Sequence, residues 1–224
     1  MKKHIVFDLG AVLFSWHPRQ MLMREVPHLA PDEQRAAHWE AEIFQNYTGD
    51  WGEFDRGTVS VPGLVQRIAQ RTGLAAADVL TVVNAVPREL QPMADSVALL
   101  HRLGDDGHTL HYLSNMPLPY AQILEADNAF FSRFQSGVFS CRVQHNKPEA
   151  EIFLLAAERF GRAPQDLVFM DDQAANVAAA QALGWCALQF HNAAQAAEVL
   201  GAQGWIGRDW MGGDWMGRDR MGRD

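Results

Sequence analysis

Lys2-Lys3-His4-Ile5-Val6-Phe7-Asp8-Leu9-Gly10-Ala11 is a short apolar run that ends in one carboxylate, with a glycine two residues further on. Residues 4–7 are short, β-branched and aromatic, the pattern of a buried strand. Asp8 then stands at the carboxyl end of that strand, where open α/β sheets bind their ligands. Every other chemical candidate is judged by whether it can meet Asp8.

Outward from this strand, residues 9–15 suit a tight turn. Pro18 fits a first helical position. Helices are expected over 19–25, 31–44, 60–71 and 75–86, with no convincing strand before 87. Gly49-Asp50-Trp51-Gly52 and Arg56-Gly57 read as punctuation. The pattern then changes. Helices over 91–103, 118–126, 148–160 and 174–183 alternate with short strands over 109–113, 138–140, 167–170 and 185–189. That alternation signals a parallel sheet with right-handed crossovers. The expected fold is therefore α/β, a Rossmann-like parallel-sheet core interrupted by an inserted all-helical cap. The core takes 1–15 and 88–200, and the cap takes 16–87.

Four features fall at strand ends in this reading: Asp8, Ser114-Asn115, Lys147 before Pro148, and Asp171-Asp172 with Asn176 beyond. Each alone is weak, since caps, turns and helix starts use the same residues. Their common edge lifts them. Carboxylates brought together repel unless a cation sits among them. An all-oxygen set suits Mg²⁺ shared with a substrate phosphate. Asp8 has the chemistry to attack phosphorus. Ser114 and the Asn115 backbone N–H are placed to hold phosphoryl oxygens. Lys147 is placed to neutralise Asp8 and the transferring group.

These stretches resemble the haloacid dehalogenase-like hydrolases. Phe7-Asp8-Leu9-Gly10-Ala11-Val12-Leu13 is similar to the family's first motif and Leu113-Ser114-Asn115 to its second. Asn146-Lys147-Pro148-Glu149 is similar to the third, and Phe169-Met170-Asp171-Asp172-Gln173-Ala174-Ala175-Asn176 to the fourth. The resemblance spans about residues 4–190 as an ordered set of four. Within the family it leans to small-molecule phosphatases related to bacterial glucose-1-phosphatase and to the amino-terminal phosphatase domain of soluble epoxide hydrolase. Those carry a helical cap between the first two motifs. The resemblance implies Asp8 as nucleophile and Mg²⁺ ligand, the Gly10 carbonyl as a second ligand, and Asp172 as a further direct ligand. Asp171 and Asn176 become ligands or supporting groups behind them. Ser114, Asn115 and Lys147 become the phosphate-binding set, with Ser114 and Lys147 sharing in catalysis.

One departure matters. Family phosphatases mostly carry Asp two residues after the nucleophile, where it protonates the leaving oxygen and then activates water. Gly10 does neither, and such help is worth about 10²–10⁴ in rate. His17 and the cap acids Asp50, Glu53 and Asp55 are substitutes to consider, although a surface or structural role is the commoner fate of each. Cap residues Arg19, Trp39, Tyr47, Trp51 and Arg56 are further candidates near a substrate.

The leading expectation is a Mg²⁺-dependent phosphatase for a small phosphorylated metabolite, plausibly a sugar phosphate. A hydrolytic dehalogenase is the second, because halide leaves without a proton. A non-catalytic module that binds a phospho-ligand or partner is the third.

The net charge of −8 and the lack of a basic cluster argue against nucleic acid or an anionic membrane as partner. No segment of the 224 residues is long and apolar enough to span a bilayer. The run after the two lysines is too short for a signal peptide, so a cytoplasmic location is expected. Cys141 and Cys186 lack metal-type spacing and read as reduced core thiols. From Trp205 a five-residue repeat runs to Asp224, with four arginines and four aspartates that cancel. A period of five fits neither helix nor strand, so 201–224 is expected to be a flexible or weakly ordered tail. The sequence leaves the oligomeric state open.

Overall fold

The computed structural model describes residues 3–207. In chain order the first elements are β1 (His4–Phe7), α1 (Pro18–Glu25), α2 (Glu33–Phe44), α3 (Gly49–Asp55), α4 (Val61–Thr72) and α5 (Ala76–Glu89). Then follow α6 (Ala94–Asp105), β2 (Thr109–Ser114), α7 (Leu118–Asp127), β3 (Phe134–Phe139), α8 (Ser140–Val143) and α9 (Ala150–Phe160). Last come β4 (Leu167–Asp171), α10 (Ala174–Ala182), β5 (Cys186–Gln189) and α11 (Ala193–Ala202).

The five strands form one parallel sheet in the order β3-β2-β1-β4-β5. The chain lays β2 and β3 on one side of β1, then crosses to β4 and β5 on the other. The switch point lies between β1 and β4, where Asp8 N–H donates to the Met170 carbonyl at 2.9 Å. Side chains alternate cleanly. Ile5, Phe7, Val168 and Met170 join one apolar cluster with Leu99, Leu100 and Leu103 of α6 and Leu200 of α11. Val6, Leu167 and Phe169 join the other with Ile152, Phe153 and Ala156 of α9 and Val177 of α10. Both faces are covered, as a parallel sheet requires. The chain therefore has the expected Rossmann-like α/β core.

The five helices α1–α5 lie between β1 and β2, as an insertion. Their buried residues, Met21, Ile43, Phe54, Leu64 and Val83 among them, belong to the same apolar cluster as Phe7 and Met170. Local capping sets their ends. Asp32 accepts from Arg35 N–H at 2.8 Å and starts α2. Pro18 takes the first position of α1.

Several boundaries differ from the sequence reading. Gly49 to Gly52 are not punctuation but the start of α3. The Gln45 side chain caps that helix, its Oε1 accepting from Asp50 N–H at 2.9 Å. Gly52 is required by packing, because a Cβ there would lie 2.9 Å from the Tyr47 carbonyl oxygen. The expected helix ending at 86 instead runs through Pro87 to Glu89, past the cap boundary drawn at 87. Proline normally strands the carbonyl four residues back. Here Tyr120 Oη donates to that carbonyl, Val83, at 2.7 Å. The strand expected at 138 begins at Phe134. Helix α11 was not anticipated and reaches Ala202, beyond the core boundary at 200. Of the expected tail, Ile206 is buried and Trp205 packs partly buried against the main apolar cluster. The rest of the repeat lies outside the described residues. Among the described residues no helix is long and apolar enough to cross a membrane.

Candidate active site

The site is built at the carboxyl ends of β1, β2 and β4 and in the turn before α9. Asp8 follows β1, Ser114 closes β2, and Asp171 closes β4. Each sits where an apolar strand runs out, so the pleat and the turn beyond fix its direction. Lys147 lies in the turn between α8 and α9, and the Asn115 side chain clamps it. Asn115 Oδ1 accepts from Lys147 N–H at 2.8 Å, and Asn115 Nδ2 donates to the Lys147 carbonyl at 2.9 Å.

Lys147 Nζ is the hub. It lies 2.8 Å from Asp8 Oδ1 and 2.6 Å from Asp171 Oδ2. All three residues are buried. Burial alone would lower the Lys147 ammonium; Asp171 and Asp8 outweigh it and hold it above its ordinary value. Asp171 is fully engaged. It also accepts from Gln173 N–H at 2.8 Å and from Asn176 Nδ2 at 3.0 and 3.1 Å. Asp172 is less tied, with one hydrogen bond from Gln173 Nε2 at 2.6 Å.

The charges do not balance. Burial pushes the Asp8 carboxyl up; Lys147 pulls it down, and Asp171 and Asp172 push it up again. Burial and then Asp171 likewise raise Asp172. Three carboxylates face one ammonium, and Asp8, Asp171 and Asp172 each place an oxygen within 4.8 Å of the others'. That oxygen-only set fits a divalent cation such as Mg²⁺, whose charge would relieve the repulsion. Asp8 and Asp172 have oxygens to spare for it. Asp171 and Asn176 read better as the pair that steadies Lys147 behind them.

A cavity of ≈ 350 Å³ opens from this cluster toward the inserted helices. Asp8, Gly10, Ser114, Asn115, Lys147, Asp172 and Asn176 form its floor, while Trp16, Tyr47, Trp51, Asp55, Val86 and Leu90 come from the cap side. Met116, Pro117 and Tyr120 close a third wall. Trp16 Nε1 donates to Tyr47 Oη at 2.6 Å, which locks two of the aromatic walls together.

The cap candidates sort themselves. Tyr47, Trp51 and Asp55 line the cavity. Arg19 pairs with Glu33 and Glu40. Trp39 is core, donating to the Leu29 carbonyl at 2.9 Å. Asp50 pairs with Arg71, Glu53 with Arg56 and Thr58, and exposed His17 lies against Glu89. Arg56 pairs with Glu149. Sequence reading missed Tyr120, Met116, Val86 and Leu90 as cavity walls, since each looks like ordinary core at helical spacing.

Three comparisons bear on this site. A family model described as haloacid dehalogenase-like hydrolase matches residues 2–184. Sesquiterpene phosphatase astK of Aspergillus oryzae is 25% identical over 189 residues, covering 84% of this chain and 89% of that protein. A haloacid dehalogenase-family enzyme from Bacteroides thetaiotaomicron, solved with magnesium and inorganic phosphate, superimposes with a TM-score of 0.68 at 22% identity, over 85% of this chain and 95% of that one. The L-2-haloacid dehalogenase of Xanthobacter autotrophicus, solved with chloropropionic acid covalently bound, does so with a TM-score of 0.64 at 19% identity, over 94% of this chain and 86% of that one. Those two structures attest the shared fold. With its ordered strand-end carboxylates, its buried lysine and the family model's match from residue 2 to residue 184, the chain belongs to the haloacid dehalogenase-like hydrolases and is an enzyme of that family.

Proposed function

We propose that this hydrolase is a Mg²⁺-dependent phosphatase for a small phosphate monoester whose organic part is apolar, working through an aspartyl phosphate on Asp8. The carrying observation is the meeting of Asp8, Asp171, Asp172 and Lys147 under a cavity with an aromatic upper wall. Asp8 would be the nucleophile and, with Asp172 and the Gly10 carbonyl, a metal ligand. The bound cation would supply the positive charge that lets a phosphoryl group approach the carboxylates. Lys147 would hold Asp8 ionised and oriented through its 2.8 Å contact and neutralise the phosphoryl oxygens. Ser114 and the Asn115 backbone N–H would bind those oxygens. Asp171, gripped by Asn176, would keep Lys147 in place.

The sequence alone suggested a sugar phosphate. The walls favour an apolar group, because Val86, Leu90 and Met116 offer no hydrogen bond to a sugar's hydroxyls. The likeness to a sesquiterpene phosphatase supports the same choice.

One observation favours the hydrolytic dehalogenase: Gly10 supplies no proton donor, and halide needs none. Against it, a buried acidic cluster is costly without a cation, and carbon–halogen displacement uses none. Chelation discriminates. Phosphate release from a panel of alkyl, prenyl and sugar phosphates is expected to stop with EDTA and return with Mg²⁺. Halide release from haloacids that ignores EDTA, with no phosphate release, would replace this proposal with the dehalogenase.

A further inference from the structure

We propose that Asp55, carried by α3 on the cap side, is the general acid and base of the reaction, replacing the carboxylate absent at Gly10. This rests on the phosphatase reading above.

The space is available. A Cβ built on Gly10 would meet no atom within 4 Å, so there is room around this position where the usual acid would begin. Asp55, on α3, lines the same cavity as Asp8, Ser114 and Lys147. It is 4% exposed and lines the cavity, and none of the hydrogen bonds among the described residues goes to its carboxyl oxygens. The other acids that line the cavity are engaged: Asp8 by Lys147, Asp172 by Gln173. The other cap acids, Asp50 and Glu53, are paired elsewhere. A carboxyl that faces a cavity and not a protein partner is left for whatever the cavity binds. A transferring proton would give it a purpose.

Its backbone is held as a catalytic group's should be. Ser140 Oγ donates to the Asp55 carbonyl at 2.6 Å and accepts from Met116 N–H at 2.9 Å. One turn earlier, Asn146 Nδ2 donates to the Gly52 carbonyl at 2.7 Å. These bonds fasten α3 to the loops that carry Ser114 and Lys147. The ionisable neighbours of Asp55 are Lys147 in the turn before α9, Tyr120 on α7, Tyr47 before α3 and Cys141 on α8. Burial raises its carboxyl well above the ordinary range, against the pull of Lys147. That shift favours the protonated form, the one a general acid needs, over a further anion facing the phosphate.

The two steps balance. Asp8 Oδ attacks phosphorus while the P–O bond to the alcohol breaks; the departing oxygen keeps the electron pair and takes the Asp55 proton. Asp55 is then a carboxylate. A water oxygen next attacks the aspartyl phosphate, its proton passes to Asp55, and the Asp8–phosphorus bond breaks. Asp8, orthophosphate and neutral Asp55 result.

Leaving-group dependence tests this with Mg²⁺ present. In the wild type, kcat/KM for a series of aryl and alkyl phosphates is expected to vary little with the acidity of the alcohol, because the proton is supplied. In Asp55→Asn, alkyl phosphates should lose about 10²–10⁴-fold. p-Nitrophenyl phosphate, whose leaving group needs no proton, should instead give a burst of about one nitrophenol per site before slow turnover. Asp55→Glu should recover part of the alkyl activity. A steep dependence in the wild type, or Asp55→Asn that matches the wild type on both substrates, overturns the role of Asp55 while leaving the phosphatase intact. A wild type inactive on every phosphate overturns both.

Discussion

Lys147 holds two buried carboxylates with one ammonium, and its own backbone is clamped by Asn115 on both sides. Removing it leaves Asp171 completely buried and its charge met only by neutral donors from Gln173 and Asn176. Breaking a buried pair from one side costs about 3–5 kcal/mol. Lys147→Ala is therefore expected to lower unfolding stability by that amount, read from urea titrations of the metal-free protein. A variant as stable as the wild type would show that the buried pairs made by Lys147 add no net stability. At this scale much of the site was legible. Asp8, Ser114, Lys147 and Asp171 each follow or interrupt an apolar run in a way that places them at one sheet edge. The resemblance set Asp172 ahead of Asp171 as a metal ligand, but the hold on the Asp171 carboxylate was not legible. It depends on Asn176 and Gln173 reaching back to Asp171, contacts that no spacing in the sequence reveals.

Among the elements, α3 brings Trp51 and Asp55 to the cavity and was misread. Its glycines looked like breakers. Its start is made by the Gln45 side chain after three residues with positive φ, Gln45, Asn46 and Tyr47, at 48°, 51° and 59°. Left-handed backbone costs non-glycine residues about 1–2 kcal/mol each, so only the surrounding packing holds this turn. It brings Tyr47 to the cavity wall. A similar tertiary rescue carries α5 through Pro87, by way of Tyr120. The insertion is also strapped to the core by Arg56, which pairs with Glu149 through both guanidinium nitrogens. Arg56 holds the Glu149 carboxyl below its ordinary 4.5, against a smaller opposing effect of burial. A carboxyl depressed in the folded state adds stability above its unfolded value and loses it as pH falls through the folded one. Arg56→Ala should thus cost about 1 kcal/mol at neutral pH, since the pair is partly solvated. That gap should close as the pH drops below 4.5. Thermal melts of both proteins across this range check it; a gap that stays constant into acid would mean that Arg56 acts by packing, not by charge.

At the scale of the whole molecule, the strand order β3-β2-β1-β4-β5 puts one crevice between β1 and β4, and the insertion roofs it with aromatic side chains. The sheet and the existence of an insertion were readable from strand–helix alternation and its interruption. The aromatic walls were readable in part: Tyr47 and Trp51 stood among the candidates, whereas Trp16 and Tyr120 have the spacing of core residues and were not named. Helix α11 escaped for a related reason: its alanines carry little periodic contrast. The proposed mechanism turns on Asp8. Phosphate release from an apolar alkyl phosphate, measured with saturating Mg²⁺ for the wild type and Asp8→Asn in parallel, tests this most directly. The wild type should turn over and the variant should fall by about 10³-fold or more. An Asp8→Asn protein that still releases phosphate at the wild-type rate would contradict the aspartyl-phosphate mechanism.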